Sequence, residues 1–172
     1  MVSQEPEVLA RFARCRAVAG DLLAAARRHE VPRFHVFHAF DPGYPELNRD
    51  RLSGMASYMV DQGAFVRGTP GAEIVSEVAP SADEPQLRKT SISPFHTTDL
   101  AVRLQRAQVD TVIIAGVVTH YAVLAATMDA VDRGYHAIIV ADACASGNPQ
   151  RHETALAILA PLADIWRDPW ST

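Results

Sequence analysis

Four places in the sequence carry groups that could do chemistry, and each lies at or just after a segment with strand character. Asp41 follows the first such segment, and Lys89 lies on or near the second. The stretch Gly116–Ala122 follows the third segment, and Asp142 follows the fourth. Ligands of open parallel sheets bind at the carboxyl ends of the strands. We therefore expect these groups to lie at one edge of a sheet.

The third of these places is a strand-to-helix junction within "AGVVTHYAVLAATMDAVDRGY", residues 115–135. The pattern predicts the end of a buried strand, a tight glycine turn and the first turns of a helix. Such a junction can present a nucleophile, but Ala122 occupies the position where a Cys or Ser would be expected. Three interpretations stay open: an active site that has lost its nucleophile, one that never used it, or only a strand meeting a helix.

Several other candidates favour structural interpretations. Cys144 follows a different strand from the junction, so we expect a buried structural thiol rather than a substitute nucleophile. Asp41 lies in "DPGY", which is good turn chemistry, and Lys89 taken alone fits a surface strand. His35 and His38 are three apart in a strand and hence on opposite faces, and the other histidines show no ligand spacing. We predict no metal site and no cofactor.

The elements that must position these groups follow from the periodicity of apolar residues. Helical spacing predicts a long amphipathic helix, ended by Pro32, and alternation then predicts a strand. The Gly-, Pro- and Ser-rich middle of the chain predicts a short helix within extended loops that could line a pocket. The ranges are 7–29 for the first helix, 33–40 for the strand, 48–85 for the middle and 55–60 for its short helix.

The second half of the chain alternates strands and helices more clearly. A short strand at 86–92 precedes a helix at 97–107 with a Thr N-cap, and the continuous apolar run 110–116 predicts a strand covered on both faces. A helix follows from Thr119 and stops at Gly134, and another begins at Asn148 as N-cap. Further strands are expected at 135–143 and 163–168. This alternation predicts a three-layer α/β/α fold, Rossmann-like, with a mostly parallel sheet.

Composition limits the class of protein. The 172 residues, with 48% hydrophobic content, fit one domain spanning 1–172 with a substantial core. The formal net charge is −4 and basic residues form no runs, so we expect no nucleic-acid partner. No apolar run approaches the ~20 residues that cross a bilayer, and the charged start of the chain does not resemble a signal peptide. Two cysteines without Cys-x-x-Cys spacing favour a reducing, cytoplasmic setting.

Two long motifs carry a resemblance to a known family. "KTSISPFHTTDL" and "VIIAGVVTHYAVLAATMDAVDRGYHAIIVADACAS" resemble the isochorismatase-like hydrolase superfamily, which includes nicotinamidases and carbamoylsarcosine amidases, over about residues 11–168. That family usually acts with an Asp, a Lys and a Cys nucleophile, and with an oxyanion hole of two backbone N–H groups. The resemblance implies a small-molecule substrate and a homodimer or homotetramer.

Carried onto this sequence, the resemblance assigns roles residue by residue. The catalytic Lys falls on Lys89, and a non-proline cis peptide falls on Val117–Val118. The oxyanion donors are the N–H groups of Val118 and Ala122. The Cys falls on Ala122, so the resemblance excludes covalent catalysis by that route. The same two motifs place Thr119, His120 and Phe95 at the substrate site, with His120 matching a histidine of isochorismatases proper, which cleave a vinyl ether without a cysteine.

The family's Asp has no counterpart here, because it ends a first strand that this sequence lacks. In the family's strand order that strand is central, so its absence predicts a gap between the strands at 33–40 and 110–116. Unpaired backbone groups in such a gap cost on the order of 1–3 kcal/mol each. Three explanations are a sequence record that starts too late, which we favour, flanking strands that close up, or a strand donated by a partner.

The sequence thus predicts an isochorismatase-family hydrolase of a small amide or enol ether that works without a Cys nucleophile. Lys89 and the N–H groups of Val118 and Ala122 would act together with an Asp from outside this sequence. The alternative is a catalytically inactive paralogue that binds a metabolite or serves assembly. The missing Cys favours the alternative, and the retained Lys favours the enzyme.

Overall fold

The computed structural model describes residues 5–167 and contains six α-helices and five strands within that range. The helices are α1 Pro6–Arg28, α2 Gly54–Asp61, α3 Pro94–Thr97, α4 Leu100–Arg106, α5 Leu124–Asp132 and α6 Pro149–Leu159. The strands are β1 His35–His38, β2 Gln86–Lys89, β3 Thr111–Val117, β4 His136–Ala145 and β5 Asp164–Trp166. No helix in this range is long and apolar enough to cross a membrane.

Within residues 5–167 the strands form two parallel sheets, and no hydrogen-bond ladder joins one sheet to the other. One sheet contains β1 and β2, and the other has the order β3-β4-β5. Val36 of β1, Leu87 of β2 and Val112 of β3 share one apolar cluster with α4, so the two sheets lie side by side beneath that helix. The fold is α/β with parallel strands and helical layers, as the alternation in the sequence predicts.

The gap expected between β1 and β3 is visible in the strand pairing. Within residues 5–167, β1 pairs only with β2 and β3 pairs only with β4, which leaves one edge of each strand without a ladder partner. The explanation in which the flanking strands close up is therefore wrong for this structure. We call the space flanked by these two unpaired edges the open slot.

The expectation that β3 is covered on both faces is wrong. Ile113 is 46% exposed and Val117 50% exposed, and Ala115 between them is exposed too, whereas Ile114 packs into the core with α5 and α6. Because side chains alternate along a strand, these three share one face. Helix α1, which lies on that side, packs Val8, Phe12 and Cys15 against Ala145 of β4 and leaves most of β3 bare.

Hydrogen bonds to one buried carboxylate hold helix α1 against the β1–β2 sheet. Glu84 accepts hydrogen bonds from Arg27 at 2.7 and 2.8 Å, from Arg33, and from the Ser81 N–H at 2.9 Å, and it lies 2.8 Å from His35 Nε2. These donors hold the pKa of Glu84 well below its ordinary value, and the Arg27 hydrogen bonds contribute most. The network joins the end of α1, the start of β1 and the loop before β2.

Several element boundaries differ from the sequence predictions. β4 continues to Ala145, with a register irregularity opposite β3, so Asp142 lies inside this strand rather than after it. The helix expected at 97–107 divides into α3 and α4, because Thr98 is extended and its hydroxyl accepts from the Leu100 N–H. The predicted N-cap at Asn148 is confirmed by its bond from the Arg151 N–H. The end of the last predicted strand, Asp168, lies outside the described residues.

Candidate active site

Lys89 is the only lysine in the sequence, and it is buried. The other members of the 16 Lys and Arg residues are all arginine, so charge on the surface never depends on lysine. Lys89 ends β2 with 6% of its surface exposed, and its ammonium donates to the Ile92 carbonyl. Burial lowers the pKa of Lys89 to about 8. The alternative of an exposed strand lysine is wrong.

No carboxylate of residues 5–167 forms an ion pair with Lys89. Asp41, the nearest candidate by sequence, is engaged elsewhere. Its Oδ1 lies 2.8 Å from Arg67 Nε and 3.4 Å from Arg88 Nη1. Because Arg88 and Lys89 are consecutive in a strand, they project from opposite faces. Asp41 therefore pairs with a side chain on the opposite face of the strand. The ammonium of Lys89 has no counter-ion among residues 5–167.

His38 is the neighbour of Lys89 across the sheet. The two residues are paired in the parallel register of β1 and β2, so their side chains share the buried face. The His38 ring lies 4.9 Å from the ring of Phe40 and 5.2 Å from that of Phe65. Its Nε2 is shielded from solvent and has no hydrogen-bond partner within the described residues. Burial, followed by the charge of Lys89, lowers the pKa of His38 to about 4.

The strand-to-helix junction has the backbone that the resemblance implies. The Val117–Val118 peptide bond is cis, as predicted, and Gly116 before it has φ +138°. The chain then enters a π-helical turn, Thr119–Val123, in which the Val118 carbonyl accepts from the N–H groups of Tyr121 and Val123. Val118 and Ala122, whose N–H groups the resemblance assigns to the oxyanion hole, both lie at this junction.

The side chains predicted near this junction take different positions. Thr119 is fully buried and its hydroxyl lies 2.8 Å from His152 Nδ1. His120 Nδ1 lies 2.8 Å from the buried Ser146 hydroxyl, and the ring lines a groove of about 230 Å³ beside α6. Burial lowers the pKa of His120, and Arg151 lowers it further. Ala122, which the resemblance aligns with the nucleophile, belongs to the π-helical turn.

Phe95 packs in the cluster under α4 and lines neither the cavity of about 390 Å³ nor the groove of about 230 Å³ beside α6. Its ring is stacked on Tyr135 at 6.4 Å, and the Arg133 guanidinium lies over it at 4.7 Å. In the structure, Phe95 therefore packs against neighbouring side chains of the fold. A contact with substrate remains a prediction.

Two further expectations are confirmed. Cys144 is buried, and burial raises the pKa of its thiol to about 12, so it is a structural thiol. The irregular middle segment does line a cavity, of about 390 Å³, against Phe37 and Ala39. That cavity lies on the face of β1 opposite to His38. No cluster of metal-ligating side chains occurs among the described residues.

His38 is a candidate site residue that the sequence does not single out, because its spacing from His35 bears only on metal binding. Its position beside Lys89 depends on the register between β1 and β2, which cannot be read from the sequence. A signal for Lys89 did exist, since a chain that uses arginine everywhere else keeps one lysine. A compact charge on a flexible stem whose pKa shifts readily on burial is suited to proton chemistry, unlike a guanidinium.

Fold and site together define a three-layer α/β domain with reactive groups at the carboxyl ends of parallel strands. The chain belongs to the isochorismatase family, since the family model described as Isochorismatase domain matches residues 3–166. The solved isochorismatase family protein from Desulfovibrio vulgaris has the same fold, with a TM-score of 0.78 at 28% identity over 88% of this chain and 79% of that one.

Two curated relatives are each similar to about half of this chain. Phenazine biosynthesis protein PhzD1 of Pseudomonas aeruginosa is 36% identical over 95 residues, 55% of this chain and 46% of the relative. Maleamate amidohydrolase of Pseudomonas putida is 36% identical over 92 residues, 54% of this chain and 43% of the relative. The matches therefore span less than half of these relatives, and they support the hydrolase family without defining a substrate.

Proposed function

We propose that this protein is an isochorismatase-family hydrolase that acts on a small amide or enol-ether metabolite without a cysteine nucleophile. The observation that carries the proposal is the only lysine of the chain, buried at the carboxyl end of β2 with its pKa lowered to about 8. A buried charge without a counter-ion destabilises a fold, and such strain is typical of functional sites. In this mechanism Lys89 orients a carboxylate acid–base and favours its ionised form.

For an amide substrate, the negative charge that develops on the carbonyl oxygen as water attacks would be stabilised by the N–H groups of Val118 and Ala122. The position of Val118 directly before the π-helical turn that contains Ala122 supports this role. Removing one donor of such a site typically lowers kcat by about 10²–10³. Because Ala122 offers no nucleophile, water would attack an amide, or a proton would be transferred to an enol ether. An amidohydrolase among the relatives favours the amide class.

The carboxylate that this chemistry needs would come from a strand that fills the open slot. Three observations support such a strand: the unpaired edges of β1 and β3, the exposed apolar side chains of Ile113 and Val117, and the missing counter-ion of Lys89. The strand would satisfy the backbone edges, cover apolar surface and place an Asp near the ammonium. It would belong to this polypeptide or to a partner.

A peptide experiment tests the origin of this carboxylate. Extended peptides with alternating apolar residues and a terminal Asp would be titrated into isotope-labelled protein, beside the same peptides ending in Asn. Binding should shift the amide signals of β1 and β3, and only the Asp peptides should raise the pKa of Lys89. Shifts confined to other elements, or equal effects of Asp and Asn, would contradict this route.

Activity is tested with the full protein and two variants. Lys89→Met removes the proposed charge, and Arg14→Met removes an exposed cation of α1 as a control. Primary amides would be assayed by ammonia release and isochorismate by pyruvate release. The proposal expects turnover in the wild type and the control that Lys89→Met lowers by at least two orders of magnitude. Equal turnover in all three proteins would exclude Lys89 from the mechanism.

The second candidate is an inactive paralogue that binds a metabolite or serves assembly, and Ala122 at the nucleophile position favours it. The same compounds would then raise the melting temperature without being consumed. We also propose that the protein acts in a reducing, cytoplasmic setting as a homodimer or homotetramer. The free, buried Cys15 and Cys144 fit that setting, and the solution mass tests the assembly.

A further inference from the structure

The carboxyl end of the β1–β2 pair contains an unused donor and an unused acceptor on one face. The ammonium of Lys89 has three N–H groups, and one of them is used on the Ile92 carbonyl. The Nε2 of His38 is buried and has no hydrogen-bond partner within residues 5–167, which destabilises the fold as long as it stays unpaired. The two side chains are register partners on strands about 4.8 Å apart.

The state of the imidazole fits an acceptor role. Burial and the neighbouring charge lower the pKa of His38 to about 4, so the ring is neutral near pH 7. The Thr90 backbone opposes these two effects and raises that pKa. A neutral imidazole with its proton on Nδ1 carries a lone pair on Nε2.

The surroundings fix the plane of the ring. Phe65 stacks on it at an interplanar angle of 20°, and Phe40 contacts it at 37°. Phe65 has φ +57°, a left-handed conformation that is unusual for a bulky residue. The backbone holds it there: the Phe40 N–H donates to the Phe65 carbonyl and the Arg67 N–H to the Phe40 carbonyl, each at 2.8 Å. Strained backbone kept in place by such bonds is a feature of functional sites.

We propose that His38 is the positioning residue of Lys89, with Nε2 accepting a hydrogen bond from the ammonium when it turns from the Ile92 carbonyl toward the site. Lys89 then has two resting positions, one on Ile92 and one on His38. The second keeps the ammonium at the carboxyl ends of β1 and β2, where a carboxylate or a substrate would meet it. The catalytic meaning of this pair rests on the proposed function, but the pair itself does not.

The test uses the fact that a lysine-labelled protein has a single lysine side chain, which gives one NMR signal for the titration of Lys89. His38→Gln places an amide oxygen near the position of Nε2, whereas His38→Asn places it near Nδ1. Both changes are of similar polarity, so they differ mainly in whether an acceptor faces Lys89. His136→Asn, on an exposed histidine, is the control.

If His38 positions Lys89, the pKa of Lys89 stays near 8 in His38→Gln and falls in His38→Asn, because the ammonium has lost an acceptor. A merely structural role would change both variants alike. Equal values in the two variants, or a rise in His38→Asn, would overturn the proposal. Thermal melts of both variants check that they fold. If either fails to fold, the nitrogen chemical shifts of His38 in the wild type test the proposal instead. The chemical shift of a hydrogen-bonded Nε2 changes when Lys89 loses its proton, whereas that of an isolated Nε2 does not.

The outcome is separate from that of the activity assays, because the pKa of Lys89 is measured without turnover. If the protein is inactive and His38→Asn still lowers this pKa, the pair stands and the hydrolase proposal fails. If the protein is active and the two variants titrate alike, the hydrolase proposal stands and the pair fails. In an active protein we further expect His38→Asn to lower kcat with little change in KM.

Discussion

Replacing Lys89 by Met should make the protein more stable at neutral pH while removing its proposed activity. Met has a similar shape and carries no charge, so the change removes the burial penalty of the ammonium and keeps the packing. The fall of the pKa from 10.5 to about 8 corresponds to about 3 kcal/mol, at about 1.4 kcal/mol for each pH unit. The lost hydrogen bond to Ile92 subtracts about 1 kcal/mol. A net gain of about 2 kcal/mol remains.

The gain should depend on pH in a defined direction. Below pH 8 the lysine is protonated in both the folded and the unfolded protein, so the penalty is fully present. Between about pH 8 and pH 10.5 the folded protein loses this proton before the unfolded chain does, and the penalty disappears. The wild type therefore gains stability relative to Lys89→Met as the pH rises through this window.

Urea unfolding at pH 7, 9 and 10.5 measures the effect, with Arg14→Met as the exposed control that should match the wild type throughout. A Met variant that is less stable than the wild type at pH 7 would refute the burial argument. An advantage that does not change with pH would refute it as well, because it would then come from packing rather than from charge.

Three further predictions follow from the fold. Glu84→Gln should lower the free energy of unfolding by about 3 kcal/mol at pH 7, and this loss should become smaller below about pH 4.3. The control Glu77→Gln, at an exposed ion pair, should have little effect. Equal urea midpoints for the two variants would contradict this prediction. Gly20→Ala should lower the free energy of unfolding by about 1–3 kcal/mol, because its Cβ would lie 2.9 Å from the Glu77 carbonyl oxygen. An unchanged free energy of unfolding would show that the backbone around Glu77 moves to make room. Cys144 should resist alkylation until the protein unfolds, as mass spectrometry can show, and rapid native labelling would place its thiol at the surface.

Much of the site was predictable because its parts lie in contiguous motifs. The junction around Val117–Val118 and the lysine at the end of β2 were both located from short stretches of sequence, and the cis peptide was confirmed. His38 was not predictable in this way, since its role depends on which residue it faces across β1 and β2. Asp142 was misplaced because local patterns do not show where a strand with a register irregularity ends.

The sequence alone determined the types and order of the elements, because apolar periodicity and turn residues act over a few neighbouring positions. It also determined the family, whose strand order predicts the gap between β1 and β3. Only the tertiary structure decided that these strands stay apart, that Ile113 and Val117 face outward, and that Lys89 is buried with no ion-pair partner among residues 5–167. The physical reason is that strand pairing and burial depend on contacts between distant segments, and these contacts set the solvation and the pKa of each group.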